Sequence, residues 1–384
     1  MEKVTENIIN IGVNDRDITL FEGQYELEKG MAYNSYVVLG DKVVLMDTVD
    51  KSVTKEWLEN LEEALQGKSV DYLVVQHMEP DHSGSMAELI KRYPDIKIIA
   101  TASAINMMKQ FFNEDIISKT QAVKEGDTLE VAEHTFKFIM APMVHWPEVM
   151  VTYEESEKVV FSADAFGKFG TRDADEDWTC EARRYYFNIC GKYGMQVQNL
   201  LKKLGGLDIN IICPLHGPVL TDNLEYYIDK YNIWSSYQPE DKGIFIVHAS
   251  IHGNTAAAAE KLKEIIEAKS DIKVSIADVC REDIHECVED AFRYDRVVFA
   301  ASSYDSGLFP PMEDLLRRLQ EKNYQNRKAA LIENGSWAPT AGKVMKTMLE
   351  EMKNITLIEP VVTIKSVVKE DTMVQLEKLA EALI

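Results

Sequence analysis

The chain has 384 residues, more than one hydrophobic core usually organises, so two domains are expected. Its 46% hydrophobic and 28% charged residues are those of an ordinary globular protein. A net charge of −22 excludes the clustered Lys and Arg that nucleic-acid phosphates require, and suits small molecules or partners with a basic patch.

The opening Met-Glu-Lys-Val-Thr-Glu has no basic stretch leading into an apolar run, and no apolar segment approaches the roughly 20 residues of a spanning helix. A cytoplasmic protein, away from membranes, is expected. Cysteines stand at 180, 190, 213, 280 and 287, odd in number and without a Cys-x-x-Cys pair. That argues for ordinary thiols in a reducing compartment, against a disulfide framework or a thiolate metal site.

Residues 33–39 and 42–47 read as a hairpin about Gly40-Asp41. A helix near 52–66 follows, then a strand over 70–76 that runs into His77-Met-Glu79-Pro-Asp81-His82. Four metal-competent side chains thus fall within six positions at a strand's end. His77, Glu79 and Asp81 alternate, and they project in related directions if the segment stays extended, which Pro80 favours for its predecessor. Helices near 84–93, 103–112 and 179–204 and strands near 97–101, 134–140, 149–153, 158–162 and 209–213 complete a mixed α/β first half.

Three more candidates follow strands in that half: His145, Asp164 and His216. Any one of them, Asp164 above all, reads equally well as a turn or cap residue. Together with the cluster they make four imidazoles and three carboxylates. One metal rarely needs seven protein ligands, whereas two metals about 3.5–4 Å apart share a bridging carboxylate and use them all. The other histidines, His134, His248, His252 and His285, have no comparable company.

From about Gly243 the rhythm changes to five apolar runs (244–247, 273–277, 296–300, 329–332 and 355–358) alternating with five helical stretches. That is the pattern of a doubly wound parallel sheet. The polar stretch Tyr237–Gly243 is the expected linker, giving domains 1–240 and 241–384. The first of these strands runs into Ser250-Ile251-His252-Gly253-Asn254-Thr255, a glycine-containing loop that opens a helix and suits an anion. With no Lys and no G-x-G-x-x-G, a monophosphate fits better than a triphosphate or dinucleotide. Loops after the third and fourth strands supply Ser302, Ser303, Tyr304, Asp305 and Gly307, then Asn334, Gly335, Ser336 and Trp337. They offer polar groups and two aromatic rings able to lie against a flat heterocycle.

The ligand order resembles the metallo-β-lactamase superfamily, with Glu79 where its hydrolases carry a second His. His-x-Glu-x-Asp-His is similar to the flavodiiron, or A-type flavoprotein, branch, and the Ser-x-x-Gly-Asn-Thr loop resembles flavodoxins. More carboxylate and less imidazole makes a harder set that favours iron. The resemblance runs from about Tyr33 to the C-terminus and implies a lactamase-type α+β sandwich followed by a flavodoxin-like sheet. It places His77, Glu79 and His145 on one iron and Asp81, His82 and His216 on the other, with Asp164 bridging and FMN in the second domain.

It further implies an oxidoreductase that passes electrons from FMN to the diiron site. There dioxygen is reduced to water, nitric oxide to nitrous oxide, or both. The donor is a rubredoxin or another reductase, and the assembly a head-to-tail homodimer or a dimer of dimers. The chain resembles the minimal form, without a fused rubredoxin. Two other classes are a zinc hydrolase, which leaves the flavin loops idle, and a flavodoxin-like carrier with a structural metal domain.

Overall fold

The structure, a computed structural model, describes residues 1–131 and 133–384 and divides into two compact units. The first comprises Met1–Tyr186 and Met195–Asn232, the second Phe187–Gly194 and Ile233–Ile384. The stretch Tyr237–Gly243 lies inside the second unit, where Asp241 already begins a strand.

The first unit is a sandwich of two sheets. Seven strands form one sheet, in the order Glu2–Lys3, Ile8–Asn10, Tyr36–Val38, Val44–Met46, Tyr72–Val75, Lys97–Thr101 and Thr120–Val123. Five form the other: Thr128–Val131, His134–Met140, Met150–Glu154, Val159–Phe161 and Ile211–Cys213. Alternate residues of both sheets, among them Tyr36, Val38, Val74 and Ile99 from one and Phe136, Phe138, Met150 and Phe161 from the other, pack into one core.

The hairpin expected over 33–47 forms between Tyr36–Val38 and Val44–Met46, antiparallel. Met31–Tyr33 breaks away to pair with Val13–Asp15. The break falls at Asn34, whose amide turns inward to donate to Pro214 O at 2.9 Å and Gly217 O at 2.8 Å. Those two carbonyls flank His216, so a buried side chain is diverted from the strand to hold a ligand loop.

In the second unit, five parallel strands run Val274–Asp278, Asp241–Ala249, Tyr294–Tyr304, Arg327–Asn334, Ile355–Ile364. Numbered within the unit this is 2-1-3-4-5, the flavodoxin-like order, whose switch point lies between its first and third strands. Helices Asn254–Lys269 and Glu370–Leu383 cover one face, burying Ala258, Leu262, Ile266, Leu376 and Leu379 against Ile244, Ile246, Val298 and Ile332. Among the described residues no helix is long and apolar enough to cross a membrane.

Candidate metal centre and flavin site

The metal cluster begins where the Tyr72–Val75 strand ends. Asp47, fully buried at the end of the neighbouring strand, accepts from Gln76 N at 2.7 Å and Gln76 Nε2 at 2.9 Å, and so fixes the exit of the chain toward His77. Glu79 keeps an extended backbone, with φ −58° and ψ 142°. Pro80 then starts a short helix, Pro80–Ser83, that carries Asp81 and His82. The expectation of one continuous extended run through Asp81 is therefore corrected: extension stops at Glu79, and the switch to helix sends the two pairs in different directions.

That switch divides the donors. His77, Glu79, His145 and Asp164 form one group, with all donor atoms within 4.8 Å of one another, and Asp81, His82 and His216 form a second within the same limit. His77 Nε2 lies 3.2 Å from Glu79 Oε2, and His145 Nε2 lies 3.0 Å from the same oxygen. In the other group His82 Nε2 stands 3.2 Å from Asp81 Oδ2 and 3.1 Å from His216 Nε2.

Asp164 joins the two groups. Its Oδ2 is 3.3 Å from His77 Nε2 and 3.0 Å from His145 Nε2, while its Oδ1 is 3.1 Å from His82 Nε2. The loop that holds it needs left-handed backbone at Ala163 (φ 51°) and Phe166 (φ 67°). Gly167 is required for space, since a Cβ there would meet Asp164 O at 3.0 Å and the His216 Cβ at 3.3 Å.

The residues fit a pair of cations. Both oxygens of Asp81 and both of Asp164 are buried without a hydrogen-bond partner, a costly state unless positive charge is supplied. Burial opposes charge on His82 and His145, yet Asp81 and Asp164 raise the first to about 10, and Asp164 and Glu79 raise the second to about 9. Burial likewise opposes the charge on Asp164, but His77 and His82 hold it well below the ordinary carboxylate range. Separations near 3 Å between donors match the edges that a coordination polyhedron with bonds of about 2.1 Å would have. Imidazole and carboxylate without thiolate suit a first-row divalent metal.

Behind the donors stand further residues, of which Glu148 and Ala32 are not singled out by the sequence. Glu148 Oε1 is 2.8 Å from His77 Nδ1 and accepts from Met78 N at 2.9 Å, while His216 Nδ1 donates to Ala32 O at 2.8 Å. Phe21, Tyr33 and Tyr185 pack edge-on or tilted around His216 at 5.5–6.0 Å between ring centroids. Trp146 stands perpendicular to His77 at 5.3 Å. His134 pairs with Glu154 at 3.0 Å and His285 with Asp283 at 2.8 Å, both away from the cluster.

In the second unit, the carboxyl ends of the first, third and fourth strands surround a cavity of about 720 Å³, a size suited to a cofactor. Ser250, Ile251, His252, Asn254, Thr255, Ser302, Ser303, Tyr304, Asp305, Asn334, Gly335, Ser336 and Trp337 line it. Gly253 and Gly307 stay out of the lining, whereas Ser306, Ala338 and Ser366, not singled out by the sequence, are in it. Gly253 caps the Asn254–Lys269 helix at φ 85°, which explains the glycine through conformation rather than clearance. Ser250 Oγ is buried without a partner, as an anion cradle requires, and Thr255 Oγ1 ties this loop to Ser302 Oγ at 2.9 Å. Trp337, 93% exposed, and Tyr304, 46% exposed, stand at the rim.

A lactamase-type sandwich with a split donor set, joined to a flavodoxin-type sheet with a cofactor cavity, defines a metalloflavoprotein. Comparison with known proteins names the family. Residues 31–217 match the "ODP family beta lactamase" model and residues 245–362 a flavodoxin domain. Anaerobic nitric oxide reductase flavorubredoxin from Escherichia coli (strain UTI89 / UPEC) is 30% identical over 360 residues, 91% of this chain and 75% of that protein. The Klebsiella pneumoniae protein of that name is 29% identical, with 91% and 74% covered.

Among solved structures, rubredoxin oxygen:oxidoreductase from Desulfovibrio gigas superposes with a TM-score of 0.91 at 25% identity, covering 99% of this chain and 97% of that one. The flavodiiron protein from Giardia intestinalis shares the fold, with a TM-score of 0.87 at 21% identity and 100% and 96% covered. The chain belongs to the flavodiiron protein family.

Proposed function

We propose that this chain is an oxidoreductase that feeds electrons from FMN to a non-haem diiron site, reducing dioxygen to water, nitric oxide to nitrous oxide, or both. Relatives named for each gas support the two substrates. The observation that carries the reading is Asp164, whose two oxygens face two different donor groups. When bound, the irons and FMN each store two electrons, the four that reduction of dioxygen to water consumes.

His77, Glu79 and His145 hold one iron, and Asp81, His82 and His216 the other, with Asp164 between them. Glu79 keeps 16% side-chain exposure, His145 10% and Asp81 9%, while His77, His82 and His216 have none. Small molecules therefore reach the centre from the Glu79 side. Ser250, Asn254 and Thr255 cradle the FMN phosphate at the helix N-terminus, with Ile251 and His252 walling the loop. Ser302, Ser303, Asp305, Asn334 and Ser336 offer polar contacts, and Tyr304 and Trp337 lie against the ring.

The protein works in the cytoplasm as a head-to-tail homodimer. An odd cysteine count without a Cys-x-x-Cys pair suits a reducing compartment. Metal donors and flavin loops in different compact units suit electron transfer across a subunit boundary.

Metal analysis with a visible spectrum tests the core of this reading. Two irons and one FMN per chain support it, and zinc without flavin overturns it in favour of a hydrolase. Relatives named flavorubredoxin and rubredoxin oxygen:oxidoreductase support a rubredoxin-type donor. A rubredoxin with its reductase is expected to raise gas consumption strongly over NADH alone, and fast direct NADH oxidation would remove that donor.

A further inference from the structure

The two donor groups are matched in kind. Each has two imidazoles, one carboxylate of its own, and one oxygen of Asp164. What differs lies behind them. His216 Nδ1 donates to a neutral carbonyl, Ala32 O, and His82 Nδ1 is buried with no hydrogen-bond partner. His77 Nδ1 instead meets a carboxylate, Glu148 Oε1, at 2.8 Å, and both side chains are fully buried.

Glu148 is held from three sides. Met78 N–H donates to the same Oε1 at 2.9 Å, Thr101 Oγ1 donates to the Glu148 carbonyl at 3.0 Å, and the chain three residues earlier carries His145 of the same donor group. Its Oε2 has no hydrogen-bond partner, and among the described residues no Lys or Arg pairs with it.

We infer that Glu148 makes the two irons redox-inequivalent, stabilising the ferric state of the one held by His77. This rests on the ligand assignment above. With Nε2 on the metal, His77 carries its proton on Nδ1, and a carboxylate accepting that proton raises the basicity of the ring. A more basic, more anionic donor favours the higher oxidation state, and the dry surroundings leave the charge unscreened.

Glu148→Gln tests this, because its amide oxygen still accepts from His77 and Met78 while the negative charge is gone. The protein should keep two irons. One of the two one-electron iron midpoints should rise by about 59 mV, a tenfold loss of ferric preference, with the other moving less. Glu148→Ala, which removes the acceptor, should lose one iron to a chelator on the order of 10–100-fold faster than the other.

Midpoints that stay put or shift equally in Glu148→Gln overturn the inference. Wild-type protein supplies a second way to overturn the inference should both variants misfold. Mössbauer spectra at half reduction should show one trapped ferric and one trapped ferrous ion, and an evenly shared electron overturns the proposal. Failure of the ligand assignment reads differently: Glu79→Ala and His145→Ala would then leave iron content unchanged.

Discussion

At Glu79 a carboxylate stands 3.2 Å from one imidazole nitrogen and 3.0 Å from another. Exchanging it for a third imidazole removes a charged hard oxygen and moves the set toward metals later in the divalent series. Glu79→His is expected to lower the iron-to-zinc ratio by on the order of tenfold and to suppress gas reduction, with FMN content unchanged. Elemental analysis and gas-electrode assays check this, and unchanged iron and turnover would discard it. Glu79 stood out in the sequence because four metal-competent side chains crowd six positions. Glu148 did not, because a single Glu in a polar loop looks like any other. Its meaning arises only when the fold brings it to His77, 71 positions away. Asp47 was hidden in the same way, as the last residue of an apparent strand.

The loop between the Asp241–Ala249 strand and the Asn254–Lys269 helix carries the second test. Ser250 Oγ has no partner within the protein, so Ser250→Asp puts a carboxylate into the proposed phosphate cradle and disturbs no internal hydrogen bond. At about 4 Å and an effective dielectric near 20, the repulsion is about 4 kcal/mol, roughly a thousandfold in FMN affinity. The variant should purify without flavin and with both irons; retention of stoichiometric FMN would refute the cradle. The central strands of this unit were legible because buried parallel strands read as apolar runs. Edge strands of the first unit, Thr120–Val123 and Thr128–Val131, were not, because half their residues are polar and only Val131 is buried. The helix expected over 179–204 is interrupted by a π-helical turn at Tyr186–Cys190 and a tight turn at Gly191–Tyr193. Gly194, directly after the interruption, has no room for a side chain: a Cβ there would meet Ser235 O at 2.3 Å.

For the whole molecule, the boundary between units was the least legible feature. A linear reading looks for a polar, proline-containing stretch, whereas compactness depends on which side chains pack together. Phe187 belongs to the second unit because its ring stacks on Phe292 at 4.1 Å and 11°, a partner far along the sequence. The proposed head-to-tail dimer makes a prediction that single chains cannot meet. Co-expression of Ser250→Asp, lacking FMN, with His145→Ala, lacking an intact iron site, gives mixed dimers in which no chain carries both cofactors. Transfer across the subunit boundary restores activity to such dimers, which hold one working pair out of two. Transfer within one chain leaves them as inactive as either parent, so steady-state gas consumption by isolated heterodimers separates the two.

The position of Trp337 has an optical consequence. Trp57 and Trp234 are fully buried and Trp178 nearly so, whereas Trp337 stands in water at the cavity rim. Its fluorescence should form the red edge of the emission spectrum. A flavin ring lying against that indole quenches it, so adding FMN to flavin-free protein should extinguish the red component first and leave the blue emission of the buried tryptophans less affected. In Trp337→Phe the red component should be weaker from the start, reduced to what the half-buried Trp146 contributes. Equal quenching of the red edge in that variant would show that the indole is not in contact with the flavin.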